Sequence, residues 1–516
     1  MILQSYYKWR VGLLLLGAPL LSAPAAVAQT YFNHRFPANA SGDGSGLGSV
    51  LVTADSGYLV TGVQYTGPAS SPVRLVLTSL DARGQARWRK LFTKPGYDLY
   101  PAFGSGILPV PGGCVVVGNS LNHTGIGAPY HGWLSRFAAT GDTIWTRFYQ
   151  VGQYASFNGG CRTRDGGYAL VGIARTSRTE VLLLRTDSLG TVLWQHTYRW
   201  SAVSTGHSVT ELPDGGFVLG GVTSDLGYLR QGTYVVRTDS VGNQLWHERF
   251  GHPTFNNGIG TVCTTRDGNI GLVAARGESN LIGAEMYQRC VYKLTPTGTV
   301  LWQRAIGPVT YSASSIKLLE LPDGWLVGAG QEEGPVTAPV APRGVIFQLC
   351  PAGDSLWYRT YQLLTGPESH NYVRGLAATP DGGFVAAGFV FASPPDTGTN
   401  DGWVFKVDSA GYAQPGGLAP DLTTCTPLGT AEPAATAEPV GLAVWPNPAT
   451  HGVLVRVPGG GDVVLLDALG RVVRTGAWAA GGPPVRWSVV DLPPGLYVVR
   501  AGARSQRLVV APEGRQ

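Results

Sequence analysis

Between residues 30 and 414 the chain repeats one unit, and this repetition constrains its fold more than any other feature. Two marks alternate. The first is a turn, Asp-Gly-Gly-aromatic or a close relative, followed by small and branched residues ending in Gly. It recurs at Asp55–Tyr58, Gly112–Cys114, Asp165–Tyr168, Asp214–Phe217, Asp267–Ile270, Asp323–Trp325 and Asp381–Phe384. The second mark is Asp-x-x-Gly-x-x-x-Trp, complete at Asp81–Trp88, Asp187–Trp194 and Asp239–Trp246. Gly141–Trp145, Gly298–Trp302 and Gly353–Trp357 keep its glycine and tryptophan, whereas Asp408–Gly411 stops after the first half. The tryptophans follow one another in steps of about 50 residues, the length of a four-strand unit.

Each unit reads as four strands. Strand A precedes the Asp-Gly turn and strand B follows it. A variable loop leads to strand C, and the Asp-x-x-Gly turn leads to strand D with its tryptophan. Asp-Gly and Gly-Gly supply the positive φ angles of tight hairpins. In Asp-x-x-Gly the aspartate caps a type I turn and the glycine takes the left-handed position of the bulge after it. The repeated tryptophan is read as packing on the outer strand against the neighbouring unit, because a position present in every repeat serves architecture first. Four-strand units of this length are blades of a β-propeller, and their number is seven. The seventh lacks a strand D. Tyr31–Phe36 resembles Trp246–Phe250, so residues 30–37 are expected to supply it and close the ring. Composition agrees: charged residues are only 14%, while 73 glycines, 36 prolines and 14 tryptophans suit short strands and tight turns rather than a helical bundle or a disordered chain. A net charge of +5 with no basic run argues against nucleic acid as a partner, and none is expected.

Both ends carry other signals. Residues 1–28 read as a signal peptide, with Lys8 and Arg10 ahead of an apolar stretch and a small-x-small cleavage site between Ala28 and Gln29. No other apolar run approaches the length of a transmembrane helix. The six cysteines are scattered, with no Cys-x-x-Cys, and sequence cannot choose among their pairings; a mixture of buried thiols and one or two bridges is expected. Residues 415–440 form a Pro/Thr/Ala-rich linker. Residues 441–512 read as a small Ig-like β-sandwich, with strands expected at Val453–Val457, Asp462–Leu466, Leu496–Arg500 and Arg507–Val510.

Two resemblances follow from these motifs. The repeats resemble those of secreted propeller proteins of Bacteroidota and, more distantly, the quinoprotein repeat, taken as architecture only because no quinone-binding positions carry over. The tail resembles the C-terminal sorting domain of type IX secretion cargo, through Pro446-Asn447-Pro448, then Asp467, Gly470 and Arg471, then Gly495-Leu496-Tyr497. That resemblance implies export to the outer cell surface or medium, with the secretion machinery and its sortase as partners and surface lipopolysaccharide as an anchor. It also implies O-glycosylation at Asp-Ser/Thr-apolar sites, namely Thr143, Ser188, Ser240, Ser355 and Ser409, although Asp and Ser also simply suit turns.

The sequence carries no nucleophile elbow, zinc-protease motif or phosphate loop. The oxygen-rich loops Ser41–Gly46 and Asp396–Asp401 lack the ligand spacing of a calcium loop and read as solvated turns; no metal and no cofactor are expected. Propellers bind at the channel mouth. Aligning the units on the Asp-Gly turn puts Asn158, His207 and Arg374 at one offset, with Phe157, Asn256, Asn257, Tyr311, His370 and Tyr372 nearby. Such a polar and aromatic ring suits a sugar or a peptide; the same residues also suit plain strand-end caps. The expected function is a secreted or surface-displayed, non-catalytic ligand-binding or adhesion module. The alternative is an extracellular enzyme acting on polysaccharide or peptide at the channel mouth.

Overall fold

The computed structural model describes residues 29–37, 44–65, 73–122, 130–225, 231–281, 284–334, 341–398, 400–415, 443–445, 452–456, 461–467, 470–478, 485–502 and 504–510. Residues 1–28, read above as a signal peptide, most of residues 415–440 and Pro446-Asn447-Pro448 lie outside them. The chain divides into two compact units, Met1–Pro427 and Leu428–Gln516. Every regular element among the described residues is a β-strand.

In the first unit the strands form successive antiparallel groups of four, each following the A–D order of one sequence repeat. The fourth repeat is typical, with strands Val203–Glu211, Phe217–Ser224, Gln231–Thr238 and Gln244–Phe250. A single parallel pairing, Thr179 with Val203, joins the third group to the fourth. In repeat two the first strand is split into Tyr97–Pro101 and Ile107–Val110. In the seventh group the fourth strand is Phe32–Phe36, which pairs antiparallel with Asn400–Val407 from Phe32 opposite Lys406 to Phe36 opposite Gly402.

Burial explains the residue choice. The second strand Tyr58–Gln64 is buried along its whole length, so it can be apolar on both faces. The fourth strand Ala86–Phe92 alternates exposed and half-buried positions and is correspondingly charged. Tryptophan on that strand joins neighbouring groups. The Trp88 ring lies on Gly141 of the next Asp-x-x-Gly turn, so closely that a Cβ there would stand 2.5 Å from it. Trp145 lies likewise on Gly190, Trp194 on Gly242, Trp246 on Gly298, Trp302 on Gly353 and Trp357 on Gly411. Phe32 and His34 of the N-terminal strand cover Gly84 of the first repeat, which completes the cycle. Around Gly190 the turn has φ of 77°, and the Asp187 carboxylate accepts the Leu189 and Thr191 amides at 2.9 and 2.8 Å.

A second recurring device lies beneath the Asp-Gly turn. The strand C residue opposite the tryptophan, or opposite Phe32 in the seventh group, is a buried cation in several repeats, and it pairs with the turn aspartate: Arg185 with Asp165, Arg237 with Asp214, Lys293 with Asp267 and Lys406 with Asp381. Burial opposes ionisation of Asp267, but the Lys293 ammonium and the Thr265 hydroxyl hold its carboxyl down to about 2. Asp401 departs from the expected solvated turn. Its side chain is 4% exposed and accepts Arg35 of the closing strand at 2.6 Å, because that strand covers the loop.

The second unit has two sheets. Ala443–Trp445, Gly452–Arg456 and Val485–Ser488 form one; Val472–Trp478, Gly461–Leu466, Gly495–Ala501 and Arg504–Val510 form the other. Val453, Val455 and Trp487 meet Val463, Leu465, Val499 and Leu508 in one core. Ala443–Trp445, Val472–Trp478 and Val485–Ser488 are additional to the four expected strands; the first is only three residues long, and the Arg, Thr and Gly content of the other two hid the alternation.

Candidate functional site

The site begins with a backbone irregularity. In five repeats strand A carries one residue more than strand B opposite, and the register skips Gly48, Asn158, His207, Ile316 and Arg374. A bulge turns the extra side chain out of the ladder and aims it elsewhere. It also presses the strand A carbonyl onto strand B. A Cβ at Gly172 would stand 1.9 Å from the Ser156 oxygen, and one at Gly221 2.1 Å from that of Thr205, which is why the strand B run ends in glycine. Repeat five has no such skip, and Ala274 stands at the equivalent place.

Asn158, His207, Ile316 and Arg374 all line one cavity of about 460 Å³ to which every repeat contributes. Tyr65, Tyr100, Phe103, Tyr130 and Phe157 form its aromatic wall, and Asn119 and Ile259 also face it. None of the described lining residues is Asp or Glu. Asn158 donates to the Gly206 carbonyl of the next repeat at 2.8 Å. The His207 ring nitrogen Nε2 lies 3.1 Å from the Thr205 hydroxyl, and burial pushes the imidazole down to about 4, so it is neutral at pH 7. Burial also lowers Arg374, which keeps its charge. Its guanidinium lies 5.3 Å from the Phe103 ring, 5.2 Å from Tyr372 and 5.6 Å from Phe389.

The split in strand A of repeat two supplies the cavity with an element of its own. Val110 pairs with Gly113 across a two-residue turn, where Val52 pairs with Tyr58 across five residues. The residues saved there reappear as the segment Ala102–Gly106. Its hydrogen bonds reach distant repeats: the Gly104 amide to the Arg374 carbonyl at 2.7 Å, the Ser105 hydroxyl from Lys317 at 3.0 Å, and the Ser105 carbonyl from Gly160 at 3.3 Å. Ala102–Gly106 therefore bridges the first strands of opposite repeats and carries Phe103 to the cavity, where 49% of its surface is exposed.

Of the sequence candidates, the structure brings Asn158, His207 and Arg374 together. Tyr372 and His370 stand behind Arg374, with His370 Nδ1 2.9 Å from the Tyr372 hydroxyl, and neither lines the cavity. Tyr311 is half-buried between consecutive strands and does not line it either, so it departs from the expected ring. Asn257 is a strand-end cap: it accepts the His252 amide at 2.7 Å and donates to two carbonyls. Tyr65, Tyr100 and Tyr130 were missed because their offset from the Asp-Gly turn differs between repeats, whereas Ile316 shares the offset of His207 and was within reach.

The remaining candidates fall elsewhere. Thr143 and Ser355 open fourth strands, and Ser188, Ser240 and Ser409 sit in Asp-x-x-Gly turns; all five are exposed. Asp467 accepts the Arg471 amide at 2.9 Å and its Nε at 2.7 Å, with Gly470 at φ of 78°. Gly495 and Leu496 open an exposed strand start, and the Tyr497 hydroxyl donates to the Pro493 carbonyl at 2.8 Å. Gln29 donates to the Asp381 carbonyl at 3.2 Å. Cys350 is disulfide-bonded, while Cys114, Cys161, Cys263 and Cys290 are free.

No protein-family model and no curated protein matches the chain. Similar solved structures include a protein of unknown function from Dyadobacter fermentans, 12% identical, covering 73% of this chain and 99% of that one at a TM-score of 0.38. An α-L-arabinanase from Penicillium chrysogenum, complexed with arabinobiose, is 11% identical and covers 74% of this chain and 99% of its own at 0.38. The polysaccharide lyase Uly1 is 9% identical, covering 70% and 88% at 0.38. Likeness of this depth carries no activity over to this chain.

Proposed function

We propose that the first unit is a seven-bladed propeller closed by its N-terminal strand, and that its cavity binds a glycan or peptide ligand without chemical change. The observation that carries this reading is the convergence of the bulge side chains Asn158, His207, Ile316 and Arg374 on one aromatic-walled cavity whose described lining has no carboxylate. A cavity of this volume, apolar with a few convergent polar groups, has the form of a ligand site. Glycoside hydrolysis by paired carboxylates would need two acids at that position. A second reading, an enzyme acting on polysaccharide, draws support from His207: an imidazole kept neutral by burial is able to accept a proton.

The second unit is proposed to be an Ig-like sorting domain that directs export through type IX secretion, with the exposed Asp-Ser/Thr sites open to glycosylation. The order of its motifs supports this, as does the disulfide at Cys350, which suits an oxidising compartment. The test of the cavity is a glycan and peptide array probed with the full chain and with Ile259→Trp, a substitution that fills the cavity from a half-open position. Selective binding lost in the variant is expected. Binding that the variant leaves unchanged would refute the cavity as the site.

A further inference from the structure

We propose that the cavity ligand is an acidic sugar, whose carboxylate or sulfate group is held by Arg374. The inference rests on the cavity being a ligand site and adds the chemistry of what it takes. Elsewhere on the strands, buried cations are paired with acids or held by several hydrogen bonds: Arg185 pairs with Asp165, Arg237 with Asp214 and Lys406 with Asp381, while Arg289 donates to the Ser315 and Tyr358 hydroxyls and to two carbonyls. Arg374 differs. Among the described residues no carboxylate pairs with it, and its buried Nε has no hydrogen-bond partner. Among the described lining residues it is the single ionised side chain, since His207 is neutral there.

Removing a guanidinium from water without a counter-charge is costly, and an anion entering the cavity would relieve that cost. The geometry suits one. Rings of Phe103, Tyr372 and Phe389 lie within 5.6 Å of the guanidinium, whose N–H fork is suited to two-point pairing with a carboxylate or sulfate.

The rest of the ligand is identified by the walls. Tyr65, Tyr100 and Tyr130 offer apolar faces, against which the C–H face of a sugar ring packs, and hydroxyls at their rims. A peptide that adds itself as a strand would need the free edge of strand A. That edge is broken by a bulge in five repeats and by the segment Ala102–Gly106 in another.

The test is equilibrium binding of the full chain to four probes: oligogalacturonate, neutral galactan of the same length, sulfated galactan and an acidic peptide. Wild type, Arg374→Gln, Arg374→Lys and Ile259→Trp are compared, with circular dichroism on each. Wild type is expected to favour an acidic glycan over the neutral one by about tenfold or more, with affinity falling as salt rises. Arg374→Gln should remove that preference, and Arg374→Lys should keep part of it. If Arg374→Gln does not fold, the wild-type preference and its salt dependence decide. Equal binding of neutral and acidic glycans, abolished by Ile259→Trp, would overturn the acidic ligand while leaving the cavity as the site. Binding of the acidic peptide alone would likewise overturn it. Failure of every probe, or indifference to Ile259→Trp, would overturn the cavity reading and this inference with it.

Discussion

Replacing Phe32 by alanine tests whether the N-terminal strand closes the first unit in solution. Phe32 is 7% exposed, stacks on His34 at 5.2 Å, meets Tyr58 at 5.7 Å and covers Gly84. Phe→Ala in a core costs about 3–5 kcal/mol. Phe32 opens its strand, so the low end, about 3 kcal/mol, applies. At about 2 °C per kcal/mol for a large unit, the melting temperature should fall by about 6 °C. Phe32→Trp should be nearly neutral, because tryptophan fills the same position in six other repeats. Differential scanning calorimetry with limited proteolysis reads both. If Phe32→Ala melts within about 1 °C of the parent, or if a protease removes the strand without lowering the melting temperature, the strand does not close the unit.

Other predictions follow from the same contacts. His207 has a folded pKa near 4, below its unfolded value, so its neutral form stabilises the fold above about pH 6.5 and that contribution is lost as pH falls toward 4. Urea titrations should show wild type losing about 2–3 kcal/mol more than His207→Gln across that window, and an equal loss in both would contradict the buried imidazole. Asp267, held at about 2, should add its own loss only below about pH 4. Gly172→Ala should cost about 3 kcal/mol or more, since its Cβ meets the Ser156 oxygen, whereas Ala274→Gly should cost about 1 kcal/mol or less; similar values would refute the bulge argument. Non-reducing peptide mapping should recover one disulfide-linked peptide containing Cys350, and a bridge among Cys114, Cys161, Cys263 and Cys290 would contradict it.

The four-strand repeat was legible in the sequence because its turns are chemically specific. Asp-x-x-Gly needs a carboxylate to collect two amides and a glycine at positive φ, and both leave a trace at fixed spacing. The closing strand was legible for the same reason: Phe32–Phe36 keeps the aromatic spacing of strand D. The cavity was half legible. Asn158, His207 and Arg374 share an offset because a bulge sits at one place in strand A. Phe103 was not, because its segment arises from a shortened turn several residues away. The cation–aspartate pairs were also missed. They link strand C to a turn some twenty residues earlier, and Gln348 or Ser79 replaces the cation in individual repeats.

The cavity is proposed to hold a ligand and to leave it unchanged. The most direct measurement is to titrate the full chain with the best array ligand in a calorimeter, then analyse the recovered ligand by mass spectrometry after prolonged incubation. Stoichiometric binding, lost in Ile259→Trp, and a ligand of unaltered mass are expected. Cleaved ligand, produced by wild type and not by His207→Gln, would contradict the proposal and establish the catalytic reading instead.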